Sequence, residues 1–195
     1  MPSSNYFSDE KNLQYVIKIT YLFALIGTFA NILFTLINQN AATAAEIGLG
    51  ISGAGMIFAI IFTMMYLNIT EGGFSTSGVP ALKKIIPFII KLLPAITTFV
   101  VIALYFALNA TYQSKIDSNN VPSEYRSYSI FSSILLFMQT CLVGAGVWNL
   151  LGPPNTEDNM FKKVNKLLLV LIFFIFNLYL CGISNVILKY FSTDG

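Results

Sequence analysis

Histidine is absent from this chain, and with it go the commonest metal and haem ligand and the usual switch of charge near neutral pH. Charge is scarce as well. Asp, Glu, Lys and Arg make up 10% of the residues, where a soluble domain carries roughly 25%. Two cysteines, Cys141 and Cys181, are too few for a disulfide framework, and both sit in apolar runs as small hydrophobes. A formal net charge of +2 is too small for a nucleic-acid groove. Glu157 and Asp158 are adjacent, so on a helix they face different directions and make poor cooperating acids. The glycines and serines of 70–80 lack the lysine of a phosphate-binding loop, and no potassium-filter sequence occurs. The expectation is a protein that is not an enzyme, with no cofactor, no metal site and no nucleic-acid partner.

Apolar residues fill the space these absences leave. The chain has 195 residues, 55% of them hydrophobic and 17 of them Phe, which places it among integral membrane proteins. Its most telling stretch is Ile47 to Ile69, which carries no charge and would span about 34 Å as a helix at roughly 1.5 Å per residue. Gly48, Ser52, Gly55, Ala59 and Thr63 recur there every three or four residues. A stripe of small side chains lets a second backbone approach closely, which is how helices pack in lipid, where no hydrophobic effect drives them together.

The rest of the chain reads as further spans joined by short polar connections. Residues 1–12 form a polar tail, and the first span covers 13–37. Along it Thr20, Ala24, Gly27, Asn31, Thr35 and Asn38 define a small, polar face that should look into a bundle. The second span is 47–69, followed by a loop rich in Gly and Ser. Residues 81–91 place Lys84, Pro87 and Lys91 on one face, which favours an interfacial lead-in to a third span at 92–112 over one long helix. The fourth span is 128–151, ended by Gly152-Pro153-Pro154. The fifth is 166–188, and 191–195 are a polar tail. The fold class is therefore all-α, a polytopic bundle of five transmembrane helices forming a single domain over 13–190.

Basic residues orient it. With the N-terminus inside, Lys11, Lys18, Lys83, Lys84, Lys91, Lys162, Lys163 and Lys166 share that side, and only Lys115, Arg126 and Lys189 lie opposite. Eight against three favours the N-terminus inside and the C-terminus outside. The same rule marks Lys83, Lys84 and Lys91, with Lys162, Lys163 and Lys166, as juxtamembrane clusters able to contact anionic lipid.

Candidate functional positions are the small residues and the buried amides. Gly27 and Gly144 join the Gly48–Thr63 stripe as helix-packing positions. Asn31, Gln139, Asn149 and Asn177 form either an intramembrane polar network or the lining of a pore. Gln139 and Asn149 share a face that should meet Asn31 or Asn177, joining the first, fourth and fifth helices through amides. Tyrosines and Trp148 near the span ends read as an interfacial aromatic belt. The leading expectation is a structural, scaffold or accessory subunit of a membrane-associated assembly, partnered by the bilayer and by other subunits or copies of itself. The alternative is a small oligomeric channel or passive carrier.

Overall fold

The computed structural model describes residues 9–37, 42–70, 81–113, 123–151, 171, 175–187 and 189, with side chains at all of these except 42–44, 81–88, 90, 112, 113, 149 and 150. Five helices lie within them: α1 (Glu10–Ile37), α2 (Ala42–Thr70), α3 (Ala81–Gln113), α4 (Ser123–Leu151) and the shorter α5 (Ile175–Ile187). The first four are each long and apolar enough to cross a bilayer.

Several boundaries lie outside the apolar runs, for local reasons. α1 begins at Glu10 rather than Leu13 because Asp9 caps it: the Lys11 amide donates to Asp9 Oδ1 at 3.0 Å, and the Leu13 amide to Asp9 O at 3.1 Å. Glu10 then favours the positive end of the helix dipole. Ala-rich sequence carries α2 back to Ala42, where Ala has the highest helix propensity. α4 starts at Ser123, with Glu124 in its first turn. α3 is one unbroken helix of 33 residues, so the expected lead-in at 81–91 and the span at 92–112 are a single element. Pro94 withholds one amide from the ladder without ending it. The Thr97 and Thr98 hydroxyls both donate to the Pro94 carbonyl, at 2.9 and 2.8 Å. Within α3 the stretch Lys91–Thr111 is the one apolar enough to span. Of the expected fifth span at 166–188, the described residues are Leu171 and those of α5, which has 13 residues or about 20 Å.

The bundle runs up and down. Gln14 of α1 meets Tyr66 of α2 at one end and Asn31 meets Ala45 at the other, so α1 and α2 are antiparallel. α3 and α4 pair in the same sense, through Asn109 with Tyr125, Tyr105 with Ser129, and Thr98 with Gln139. α1 also lies antiparallel against α4, with Thr35 by Ser133, Phe29 by Phe137, and Lys18 by Trp148. α1 packs most extensively on α2, and among the neighbouring pairs of these four helices α3 and α4 pack least extensively. α5 fills that last seam: Phe176 meets the edge of Tyr105, and Tyr179 packs on Tyr128 and stacks on Phe131.

Burial shows which solvent the fold is built for. Leu13, Ile17, Tyr21, Ala24, Gly27, Thr28 and Asn31 face inward from α1, while Leu22, Phe23, Ile26, Phe29 and Leu33 face out. Only 28–39% of each spanning window is buried inside the bundle, so most of its apolar side chains meet the surroundings. Water would not tolerate so large an apolar surface; hydrocarbon does.

Candidate functional site

Helix contact in this bundle begins with missing side chains. On α2, a Cβ added at Gly55 would lie 2.6 Å from the Ala24 amide nitrogen and 2.8 Å from the Thr20 carbonyl. At Gly48 it would lie 2.8 Å from the Asn31 nitrogen and 2.9 Å from the Gly27 carbonyl. From the other side, a Cβ at Gly27 would meet the Gly48 carbonyl at 2.6 Å and Ser52 Cα at 2.8 Å, with the Ser52 nitrogen closer still. The two backbones therefore touch over three helical turns, with Ser52, Ala59 and Thr63 buried along the same seam. Thr63 returns its hydroxyl to the Ala59 carbonyl at 2.6 Å, so it presents its methyl group and no free donor. Gly144 is placed differently. No atom lies within 4 Å of where its Cβ would be, so it makes no close helix approach and lines a groove instead.

The amides have separate neighbours. Asn31, fully buried, donates from Nδ2 to the Ala45 carbonyl at 3.2 Å, which ties α1 to the start of α2. Gln139, also fully buried, donates from Nε2 to Thr98 Oγ1 at 2.8 Å, which ties α4 to α3. Gln139 reaches neither Asn31 nor Asn177, because Thr98 stands closer across the α3–α4 seam. Asn177 is half-buried on α5, and the Asn149 side chain lies outside the described residues. The acceptor oxygens Asn31 Oδ1 and Gln139 Oε1 are buried without a partner, as are the hydroxyls of Ser52, Ser132 and Tyr21 and one carboxylate oxygen of Glu46.

A third set of contacts is hydroxyl chemistry that the residue pattern does not advertise. Tyr105, fully buried in α3, donates to the Ser129 carbonyl at 2.8 Å and stands 2.8 and 3.0 Å from the Ser129 and Ser133 hydroxyls. Ser133 in turn lies 3.4 Å from the Thr35 hydroxyl, which connects α3, α4 and α1. One turn further out, Tyr125 donates to Asn109. Both tyrosines are core residues. The available signal was the run Ser129, Ser132, Ser133, whose helical spacing puts several hydroxyls on one face. At the opposite end Gln14, Tyr66 and Glu10 join α1 to α2, with the Tyr66 hydroxyl donating to Glu10 at 3.3 Å.

Of the lysines singled out for lipid contact, Lys91 is exposed on α3, and Lys83 and Lys84 belong to the first turn of that helix. Lys162, Lys163 and Lys166 lie outside the described residues. A further lysine is distinctive. Lys18 holds its ammonium 4.5 Å above the centre of the Trp148 ring, at the mouth of the groove between α1 and α4.

Compared with known proteins, the chain matches no family model, no curated protein and no solved structure. Its class follows from the helices themselves: it is an integral, multi-pass α-helical membrane protein.

Proposed function

We propose that this protein is a non-catalytic structural subunit, serving as scaffold or accessory part of a larger membrane-associated assembly. It would cross the bilayer five times with its N-terminus inside. The observation that carries this reading is where the strongest interior contacts go. The glycine seam, the Gln139–Thr98 bond and the Tyr105 hydroxyl cluster all join one helix to the next. The outer face offers a broad apolar surface to lipid or to other membrane helices. Orientation rests on the lysine bias, eight against three.

A second reading, an oligomeric channel or passive carrier, draws on the buried unpartnered acceptors of Asn31, Ser52, Ser132 and Gln139. Oxygens of this kind can exchange bonds with a passing polar solute. Reconstitution separates the two. Purified protein in liposomes, assayed for ion and small-solute flux beside native mass analysis, should show no flux and stable stoichiometric association. Robust flux from a defined oligomer would overturn the structural reading and leave the second one standing.

A further inference from the structure

One site in the molecule combines a cavity, a fixed charge and a direction. Between α1 and α4, near the start of the first and the end of the second, lies a groove of about 300 Å³. That volume is at the lower end of the range for small-molecule pockets. Tyr21, Leu22, Leu25 and Gly144 form its trough, and Lys18 and Trp148 stand at its mouth. The trough is open to the membrane, with Leu22 55% and Trp148 61% exposed.

Depth places the two mouth residues at the headgroups. Lys18 follows Glu10 by eight residues, about 12 Å along α1, and Trp148 lies three residues before the end of α4. α1 is about 42 Å long against a hydrocarbon thickness of roughly 30 Å, so Lys18 falls just inside the apolar edge, within snorkelling reach of the headgroup layer. The indole is at the depth tryptophan prefers. Among the described residues no carboxylate pairs with Lys18; its neighbour is the π face of Trp148, which holds the ammonium in place and leaves its charge unneutralised.

We propose that this groove is a specific site for an anionic phospholipid. The headgroup phosphate would accept from Lys18, and one acyl chain would lie in the trough over Gly144, with the second chain outside it. Charge complementarity selects the headgroup, and the apolar trough selects a lipid over free phosphate. The open space beside Gly144 gives the chain its room, since any side chain there would occupy it. Lys18 also counts toward the topology bias, but the site is separate from the two juxtamembrane clusters at Lys83, Lys84 and Lys91 and at Lys162, Lys163 and Lys166, and it does not depend on the scaffold reading.

Trp148 is the only tryptophan in the chain, so its fluorescence reports on the site directly. The full-length protein is reconstituted with phosphatidylglycerol or phosphatidylcholine brominated on the acyl chains, and quenching is titrated against the unbrominated lipids. The relative binding constant should favour phosphatidylglycerol by about fivefold, the ratio matching roughly 1 kcal/mol for a surface lysine. Lys18→Gln should bring that ratio to near one, and Lys18→Arg should keep it. Arg126→Gln, which removes an exposed charge near the opposite end of α4, should leave it unchanged. Gly144→Leu should weaken quenching by both lipids, and inorganic phosphate should not displace them. A wild-type ratio near one, a ratio indifferent to Lys18→Gln, or an equal loss in Arg126→Gln would each overturn the proposal. Undiminished quenching in Gly144→Leu would remove the acyl-chain part of it.

Discussion

Replacing Gly27 with alanine adds one methyl group at the tightest point of the α1–α2 seam. That Cβ would stand 2.6 Å from the Gly48 carbonyl and 2.8 Å from Ser52 Cα, where carbon atoms prefer about 3.5–4.0 Å. The obstructing atoms are backbone, so no rotamer change gives relief and the two helices must part by about 1 Å. Overpacking usually costs about 1–3 kcal/mol, and a backbone-on-backbone clash belongs at the top of that range. The Asn31–Ala45 bond, already 3.2 Å, would lengthen with the seam and lose up to about 1.7 kcal/mol more. A total of about 3–5 kcal/mol corresponds to a fall in Tm of roughly 6–20 °C for a chain of this length. Thermal unfolding in detergent, followed by fluorescence-detected size exclusion, measures it. Gly50→Ala is the matched control, because no atom lies within 4 Å of its added methyl group. Its Tm should hold or rise slightly, alanine being the better helix former. The reasoning fails if Gly27→Ala is as stable as the parent, or if Gly50→Ala loses as much.

Thr98→Val should destabilise more than Gln139→Leu in the same assay. Valine leaves the Gln139 amide buried without its acceptor, at about 1–3 kcal/mol, whereas leucine removes the Nε2 donor together with an Oε1 that has no partner; the reverse order would refute this account. Tyr105→Phe keeps the edge contact with Phe176 and loses only the hydroxyl, so it should cost roughly 0.6–1.7 kcal/mol. Tyr105→Ala should cost about 3–5 kcal/mol through the cavity it opens, and near-equal losses for the two variants would contradict the packing described. Tags at the two ends, probed by membrane-impermeant reagents on sealed vesicles, should lie on opposite faces. Both on one face would mean an even number of spans, with α5 re-entrant or interfacial.

The legible features in the sequence were periodic ones. Gly48, Ser52 and Gly55 are spaced so that any helix containing them carries a small-residue stripe, and Thr20, Ala24, Gly27 and Asn31 define a matching face one span earlier. Apolar runs with little charge declare the bilayer as solvent, since composition and length are properties of a segment alone. Helix ends were less legible. The capping aspartate at Asp9 and the alanines before Glu46 extend helices into sequence that hydropathy assigns to connections. The lead-in to α3 was ambiguous for a related reason: proline removes one hydrogen bond wherever it falls, but whether a helix continues past it depends on the groups around it.

Pairing belongs to the tertiary structure. An amide's need for a partner can be read from its type and its place in an apolar run, yet its choice among neighbours is made by distances of a few tenths of an ångström. Gln139 thus bonds Thr98 rather than another amide, and Tyr105 finds its partners among the serines of α4. Gly144 and Gly27 are the same residue type in similar helices, yet one faces open space and the other a second backbone. Local sequence determined that these segments are helices in lipid, because hydrophobicity and period act residue by residue. Only the packed bundle decided which small residue is a contact and which is a groove, because that depends on where a different part of the chain comes to rest.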